Sequence, residues 1–138
     1  MKILGVDLGE RRIGFAISDP EERIAMSLCV CKIKNQSEII PAIIRIANEQ
    51  EAELIILGYP RNLNGKAGIK ARESEAFAVQ LNAHNLNTML WDERLTTSEA
   101  DRLLQETSLS RRQRKNHIDA VAAQRILSSY LDARSRKP

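Results

Sequence analysis

Ile3-Leu4-Gly5-Val6-Asp7-Leu8 and Ile13-Gly14-Phe15-Ala16-Ile17-Ser18 are two apolar runs, joined by the charged turn Gly9-Glu10-Arg11-Arg12. Two such runs with a glycine-bearing connection predict a β-hairpin. Asp7 stands inside the first run, where a buried and unpaired charge would cost several kcal/mol. Such an aspartate either faces a cation or a solvent cleft, or it bonds backbone N–H groups of the turn. Asp7 is therefore the first candidate functional residue.

The size and composition of the chain predict one domain over residues 1–138. With 138 residues, 43% of them hydrophobic, the chain can bury a core without disulfides. Its apolar stretches are shorter than the roughly 18 residues that cross a bilayer, and Asp7 and Glu10 interrupt any leader-like segment, so we expect a cytoplasmic protein. Cys29 and Cys31 are too close for an undistorted disulfide and lack further zinc ligands, so we expect buried thiols.

Charge is distributed unevenly along the sequence. Residues 1–110 contain 13 Lys/Arg and 16 Asp/Glu, whereas residues 111–138 contain 8 Lys/Arg and only two carboxylates. A basic C-terminal quarter is typical of contact with a polyanion such as nucleic acid. A solvated helix end followed by a frayed tail would give the same composition.

Hydrophobic periodicity predicts the element order β-β-β-α-β-α-β-α-α. The predicted strands lie at 2–8, 13–19, 27–33, 54–58 and 88–91, and the predicted helices at 38–50, about 68–84, 97–106 and 118–133. Ser37 is the expected N-cap of the first helix. A meander followed by alternating helices and strands indicates an α/β fold, with a five-stranded mixed sheet and helices on both faces.

Several acidic residues fall at the ends of these elements. Asp7 lies toward the end of the first strand, Asp92 and Glu93 follow the fifth, and Asp119 opens the last predicted helix. Ligands of open α/β sheets bind outside the carboxyl ends of the strands. Carboxylate oxygens suit Mg²⁺ or Mn²⁺, and a pair of such ions supports phosphodiester hydrolysis. The pattern favours a metal-dependent hydrolase.

The chain resembles the YqgF/RuvX family nearly from end to end. The resemblance is carried by four motifs in order, Val6-Asp7-Leu8-Gly9-Glu10-Arg11-Arg12-Ile13-Gly14, Gly58-Tyr59-Pro60-Arg61-Asn62-Leu63-Asn64-Gly65, Asp92-Glu93-Arg94-Leu95-Thr96-Thr97 and Lys115-Asn116-His117-Ile118-Asp119-Ala120-Val121-Ala122-Ala123. This family has an RNase H-like fold. The resemblance implies a cytoplasmic, divalent-metal-dependent nuclease that processes the 5′ end of the 16S rRNA precursor in ribosome biogenesis.

The same resemblance implies the catalytic site. Asp7, Glu93 and Asp119 match the acidic positions that catalyse the reaction and bind Mg²⁺ or Mn²⁺, with a two-metal site expected. Strand alternation sends Asp92 and Glu93 to opposite faces, and the motif alone leaves open which of them binds metal.

Five further motif residues are candidate substrate contacts. Gly9 would let the backbone approach a phosphate and Arg12 would pair with it, although a plain hairpin also explains the glycine. Asn62 offers amide donors, and Lys115 would neutralise a phosphate beside the metals. Arg94 either contacts substrate, holds a carboxylate, or only steadies the turn in an ion pair.

A dense basic run, Arg111-Arg112-Gln113-Arg114-Lys115, precedes Asp119. Because it has almost nothing apolar to bury, we expect a loop between two helices that is mobile without a partner. Such a loop would guide nucleic acid toward the acidic cleft.

Three other functions compete with rRNA processing. One is a resolvase-like nuclease acting on Holliday junctions or other structured DNA, which would need a symmetric dimer. Another is a non-catalytic RNA- or ribosome-binding factor, and a third is an actin-like or sugar-kinase ATPase, which would need a second domain. The aromatic content is only 4%, which indicates contacts mainly to phosphates rather than stacking on bases. The sequence leaves open whether the protein is a monomer or a homodimer.

Overall fold

The computed structural model describes residues 1–59, 69–92 and 111–135. The strands are β1 (Ile3–Leu8), β2 (Arg12–Ser18), β3 (Ala25–Lys32), β4 (Leu54–Tyr59) and β5 (Thr88–Asp92). The helices in these ranges are α1 (Ile39–Glu49), α2 (Ile69–Ala83) and α3 (Arg111–Ser135), and a 3₁₀ turn at Gln36–Glu38 precedes α1.

The five strands form one mixed sheet in the order β3-β2-β1-β4-β5. β1, β2 and β3 are antiparallel neighbours, as expected of a meander built on hairpins. β4 lies parallel to β1, and β5 lies parallel to β4. The predicted five-stranded mixed sheet of an α/β protein is confirmed.

Each face of the sheet is covered by helices. Alternate residues of β1 show this: Leu4 and Val6 belong to a core shared with α1 and α2, whereas Ile3 belongs to a core shared with α3. β4 contributes buried side chains to both cores, which is why Leu54–Leu57 is apolar at every position. The wholly apolar run in the sequence is therefore explained by burial on two sides.

The first helix begins differently from the prediction. Ser37 was the expected N-cap, but it lies within the 3₁₀ turn, and Glu38 occupies the N-cap position of α1. The Glu38 carboxylate accepts the backbone N–H groups of Asn35 at 2.8 Å and Lys34 at 2.5 Å. These bonds lower the pKa of Glu38, with the bond from Asn35 contributing most to the shift. The turn is thus closed by a carboxylate that accepts two donors instead of by a serine hydroxyl.

The last helix also differs from the prediction. α3 begins at Arg111 rather than at 118, so the basic run Arg111–Lys115 is helical and the expectation of a loop is wrong. Arg, Lys and Gln are good helix formers, and a run of them can extend a helix that is anchored further along. The anchor is the buried face of residues 122–131. The other predicted elements agree with the structure to within two residues, except the helix at 97–106, which lies outside the described residues.

Candidate active site

Asp7 lies near the carboxyl end of β1, half-buried, on the face of the sheet that α3 covers. It pairs with Gly14 of β2. Val6 pairs with Leu57 of β4, so Gly58 occupies the position beside Asp7 on the other side. Asp7 is therefore flanked on both neighbouring strands by residues without a side chain. Neither neighbouring strand therefore places a side chain beside the carboxylate.

The turn that follows Asp7 requires glycine for a local reason. The Gly9 N–H donates to the Arg12 carbonyl oxygen at 2.8 Å. A Cβ built on Gly9 would lie 2.8 Å from that same oxygen, closer than real side chains come. The tight turn alone explains Gly9, so its predicted approach to a phosphate stays a prediction.

Arg12, the first residue of β2, follows this turn and has a buried guanidinium nitrogen. It precedes Ile13, which is fully buried in the core with α1 and α2, so strand alternation places Arg12 on the α3 face with Asp7. Its Nη1 atom is buried and, within residues 1–59, 69–92 and 111–135, has no hydrogen-bond partner. A buried cationic donor left unpaired costs more than most lost hydrogen bonds. Its chemistry suits an anionic oxygen arriving from outside the protein.

Of the two acidic residues after the fifth strand, Asp92 does not share a face with Asp7. Trp91 pairs with Gly58 and packs against the core beneath α3. Asp92, the next residue, falls on the opposite face together with Leu90. Glu93, Arg94 and Asn62 lie outside the described residues, so the structure does not test their predicted roles.

α3 runs antiparallel to β1, which decides where its N-terminal half goes. A Cβ on Gly5 would lie 2.9 Å from Leu127 Cβ and 3.1 Å from the Ala123 carbonyl oxygen, so the helix crosses β1 at Gly5. At the other end, Arg134 pairs with Glu22, which also binds the amino group of Met1 just before β1 begins. The N-terminal half of α3 therefore extends toward the end of β1 that carries Asp7.

Asp119 and Lys115 both lie in this N-terminal half of α3. Asp119 was expected to open the last helix and Lys115 to lie in the loop before it, but they are the ninth and fifth residues of α3. Asp119 precedes Ala123 by one turn, a rise of about 6 Å. Asp7 follows Gly5 by two strand residues, a rise of about 7 Å in the same direction. The backbones of Asp7 and Asp119 therefore lie at similar distances from the crossing at Gly5, measured along β1.

The Asp7 carboxylate, the one predicted metal ligand whose side chain is described, has oxygen atoms that suit a hard divalent cation. Asp7 supplies carboxylate oxygens beside two glycine positions, and oxygen ligands are those that Mg²⁺ and Mn²⁺ prefer. Among the described residues no group of three or more His, Cys, Asp or Glu stands close enough to hold a metal. Two of the three predicted ligands, Glu93 and the Asp119 side chain, fall outside that search.

Asp19 and Cys29, both away from Asp7, have shifted pKa values. Hydrogen bonds from the backbone N–H groups of Ile24 and Arg23, each 2.7 Å, lower the pKa of Asp19 in the β2–β3 turn. Burial raises the pKa of the Cys29 thiol to about 11, with a further contribution from Cys31 beside it. The two cysteines are free thiols, but they are half-buried and not buried as expected, because β3 lies at the edge of the sheet. In the part of the chain that the structure describes, no helix has the length and apolarity to cross a membrane.

Solved structures share this fold. Thermus thermophilus RuvC superposes with a TM-score of 0.58 at 15% identity, covering 98% of this chain and 96% of that one. The fowlpox virus resolvase, solved with Holliday junction DNA, gives a TM-score of 0.61 at 14% identity, covering 96% and 98%. The fold is therefore the RNase H-like fold of the junction resolvases, as the sequence predicted.

Sequence relatives place the chain within one family. A family model described as "RuvX: Holliday junction resolvase" matches residues 1–133. Two relatives named "Putative pre-16S rRNA nuclease" are similar along almost the whole chain. The one from Pelotomaculum thermopropionicum is 44% identical over 99% of this chain and 90% of its own length. The one from Syntrophomonas wolfei is 42% identical over 98% and 96%.

The chain belongs to the RuvX family, and it is a nuclease, a hydrolase of phosphodiester bonds. Three features of the site were not anticipated from the sequence: the row of glycines beside Asp7, the orphaned Arg12 nitrogen, and the position of Trp91 in the same row. The glycines and the single tryptophan are visible in the sequence. Their common row, however, depends on the pairing of four strands.

Proposed function

We propose that this chain is a divalent-metal-dependent nuclease that processes the 5′ end of the 16S rRNA precursor, acting in the cytoplasm as a single domain over residues 1–138. The observation that carries the proposal is the half-buried Asp7, flanked by Gly14 and Gly58 at the end of the sheet toward which α3 extends. The names of the relatives that match almost the whole chain supply the rRNA substrate.

Asp7, Glu93 and Asp119 are the proposed catalytic carboxylates. Trp91 faces α3 and Asp92 faces away, so continued strand alternation would return Glu93 to the face of Asp7. Asp119 repeats at helical spacing with Ala123, whose carbonyl lies at the crossing with β1. These relations favour Glu93 over Asp92 as the third ligand. Bound Mg²⁺ or Mn²⁺ would supply an activated water and stabilise the leaving oxygen, and a two-ion site suits this chemistry.

Arg12 is the proposed contact for a substrate phosphate. Its buried Nη1 lacks a partner in the described structure, and a guanidinium matches the oxygens of a phosphate in planar, paired geometry. Gly9 fixes the turn that carries Arg12. Binding of a phosphate would satisfy the orphaned donor, so the free energy of desolvating Arg12 in the free protein is recovered when substrate binds.

The remaining contacts are proposed from the motifs. Asn62 and Arg94 follow strands that end at this edge of the sheet, and Lys115 lies one turn before Asp119 in α3. Arg111, Arg112 and Arg114 continue the positive charge along the same helix. A helical basic run holds its charges at fixed spacing, which favours a structured path for the nucleic acid over the mobile loop that we first expected.

A junction-cleaving activity is the second candidate, because the family model is described as a Holliday junction resolvase and the fold is shared with resolvases. The two are separated by incubating the protein with labelled 16S rRNA precursor, unstructured RNA and a four-way DNA junction, each with Mn²⁺ or Mg²⁺. We expect a discrete cut near the 5′ end of the precursor and much slower cleavage of the junction. Faster cleavage of the junction, with paired cuts in two strands, would contradict the proposal that rRNA is the substrate. Paired cuts would also require a dimer with two active sites. Tight binding without any cleavage would instead favour a non-catalytic factor in ribosome assembly.

A further inference from the structure

A pocket of about 330 Å³ lies between β5 and the C-terminal half of α3. It is lined by Met89, Trp91, Tyr130, Ala133 and Arg134, none of which belongs to the predicted site. Small-molecule sites in proteins begin at about this volume. The pocket therefore has room for a single planar group.

The pocket has rigid aromatic walls. The rings of Trp91 and Tyr130 meet edge to face, with centroids 5.3 Å apart and planes at 88°. The Trp91 Nε1–H donates to Ser129 Oγ at 3.0 Å, which fixes the orientation of the indole. Met89 stands at the edge of the sheet with 46% of its surface exposed. An entering ring would meet surfaces that are already ordered and partly apolar.

The pocket begins in the same row of the sheet as Asp7. Gly58 pairs with Trp91 and lies beside Asp7, so two strand spacings, about 10 Å, separate the backbones of Asp7 and Trp91 on one face. Gly58 has no side chain that could block the path between them. Ala133 and Arg134 lie farther off, toward the start of β1, so a nucleic acid strand bound at Asp7 would meet the pocket at its Trp91 end.

We propose that this pocket takes one unpaired nucleobase of the strand cut at Asp7, an inference that rests on the proposed nuclease site. Any base offers a flat π-face to Trp91, so the contact would be tolerant of sequence. The Arg134 side chain is 43% exposed and pairs with Glu22 through one of its nitrogens, which leaves guanidinium donors for an adjoining phosphate. A paired duplex keeps its bases stacked inside, so the pocket selects single-stranded substrate.

Trp91 is the only tryptophan of the chain, so its fluorescence reports on this pocket directly. A short single-stranded RNA is titrated into the protein without divalent metal, and the titration is repeated with an abasic RNA and with a duplex of the same sequence. The pocket is then filled by Ala133→Leu, and Val79→Leu, at a 69% exposed position of α2, serves as the matched control. Thermal unfolding of each variant verifies that it is folded.

We expect the single-stranded RNA to quench Trp91 and the abasic RNA and the duplex to leave it nearly unchanged. Ala133→Leu should lose the quenching and bind the RNA roughly 5- to 150-fold more weakly, the usual range for one stacked base. Val79→Leu should behave as the wild type. Equal quenching by the base-containing and the abasic RNA would overturn the proposal, and this comparison uses only the wild-type protein. Unchanged affinity for RNA in a folded Ala133→Leu variant would also overturn it. A Trp91 signal that follows protein concentration instead of RNA would assign the pocket to a second copy of the chain.

Cleavage measured in parallel after adding Mn²⁺ separates this inference from the proposed function. Cleavage of RNA without any Trp91 response overturns the base pocket and leaves the nuclease site intact. A Trp91 response without cleavage supports the pocket and counts against the proposed catalytic role of this chain.

Discussion

Adding one methyl group at Gly5 tests whether α3 is held against β1 as closely as the structure indicates. In Gly5→Ala the new Cβ would lie 2.9 Å from Leu127 Cβ and 3.1 Å from the Ala123 carbonyl oxygen. Carbon atoms pack best at about 3.5–4.0 Å, so the helix must move by roughly 0.5–1 Å. Neither neighbouring atom can rotate away, because one is a Cβ and the other belongs to the backbone. The strain therefore falls on the whole contact between helix and sheet.

The expected loss of stability follows from two opposing effects. Overpacking of a well-packed core costs about 1–3 kcal/mol. Replacing glycine with alanine also lowers the entropy of the unfolded chain, which stabilises the protein by about 0.4–1 kcal/mol where the site has room. The net expectation for Gly5→Ala is a free energy of unfolding lower by about 0.5–2 kcal/mol.

Urea unfolding followed by the fluorescence of Trp91, which hydrogen-bonds to α3 through Ser129, measures this change. The midpoint should fall while the slope stays constant, and Ser27→Thr, one added methyl at an exposed position of β3, should change stability by less than about 0.5 kcal/mol. Since the displaced helix carries Asp119, cleavage should fall by up to about 100-fold, the effect of a 1 Å misplacement at a catalytic site. An equal or higher stability of Gly5→Ala would refute the close approach.

Three further outcomes are expected. Changing Arg111, Arg112 and Arg114 together to Ala should weaken RNA binding at low salt and lower the slope of log affinity against log salt by about 0.7–0.9 per lost phosphate contact, and an unchanged slope would show that the run only faces solvent. Arg12→Leu should raise KM for RNA while thermal stability stays equal or rises, because the variant removes a buried donor that has no partner among the described residues; a strongly destabilised variant would argue for a structural role. Iodoacetamide at pH 8 should modify Cys29 about 100-fold more slowly than an ordinary thiol, since its pKa is about 11 instead of 9.0 and the thiolate is the reactive form. Because folding raises that pKa, the stabilisation it contributes to the folded state is complete below pH 9 and is lost as the pH rises toward 11. Peptide mapping compares the rate of Cys29 alkylation in the folded chain with the rate in the urea-unfolded chain.

The secondary structure was largely predictable because local pattern and tertiary burial agree in most elements. The apolar run Leu54–Leu57 could only be a strand buried on both faces, and the helical spacing of Ile39, Ile43 and Ile46 matches the buried face of α1. The start of α3 was missed because Arg111–Lys115 contains no apolar residue whose spacing could indicate a helix. It is helical through its intrinsic propensity and the anchored turns that follow it.

The candidate site was predictable only in part, since a motif identifies residues but not their neighbours. Asp7 was placed correctly at the end of β1, and Asp92 lies on the opposite face of the sheet, whereas the face taken by Glu93 stays a prediction. The orphaned nitrogen of Arg12 could not be foreseen, because it depends on which groups pack around the turn. The row that joins Asp7 to Trp91 was equally hidden, because it requires the register of β1, β4 and β5.

Whether the Asp7 carboxylate catalyses metal-dependent phosphodiester cleavage is tested by Asp7→Asn, assayed on labelled 16S rRNA precursor with Mn²⁺ or Mg²⁺. The matched control is Asp132→Asn, the same chemical change at an exposed position of α3. We expect Asp7→Asn to show no cleavage above background while its melting temperature stays equal or rises, because the change removes one of the carboxylates that are proposed to crowd together and repel one another at this site. Asp132→Asn should cleave as the wild type does, and only when metal is present. Persistent cleavage by Asp7→Asn, or a large loss of its thermal stability, would contradict the catalytic role of this residue.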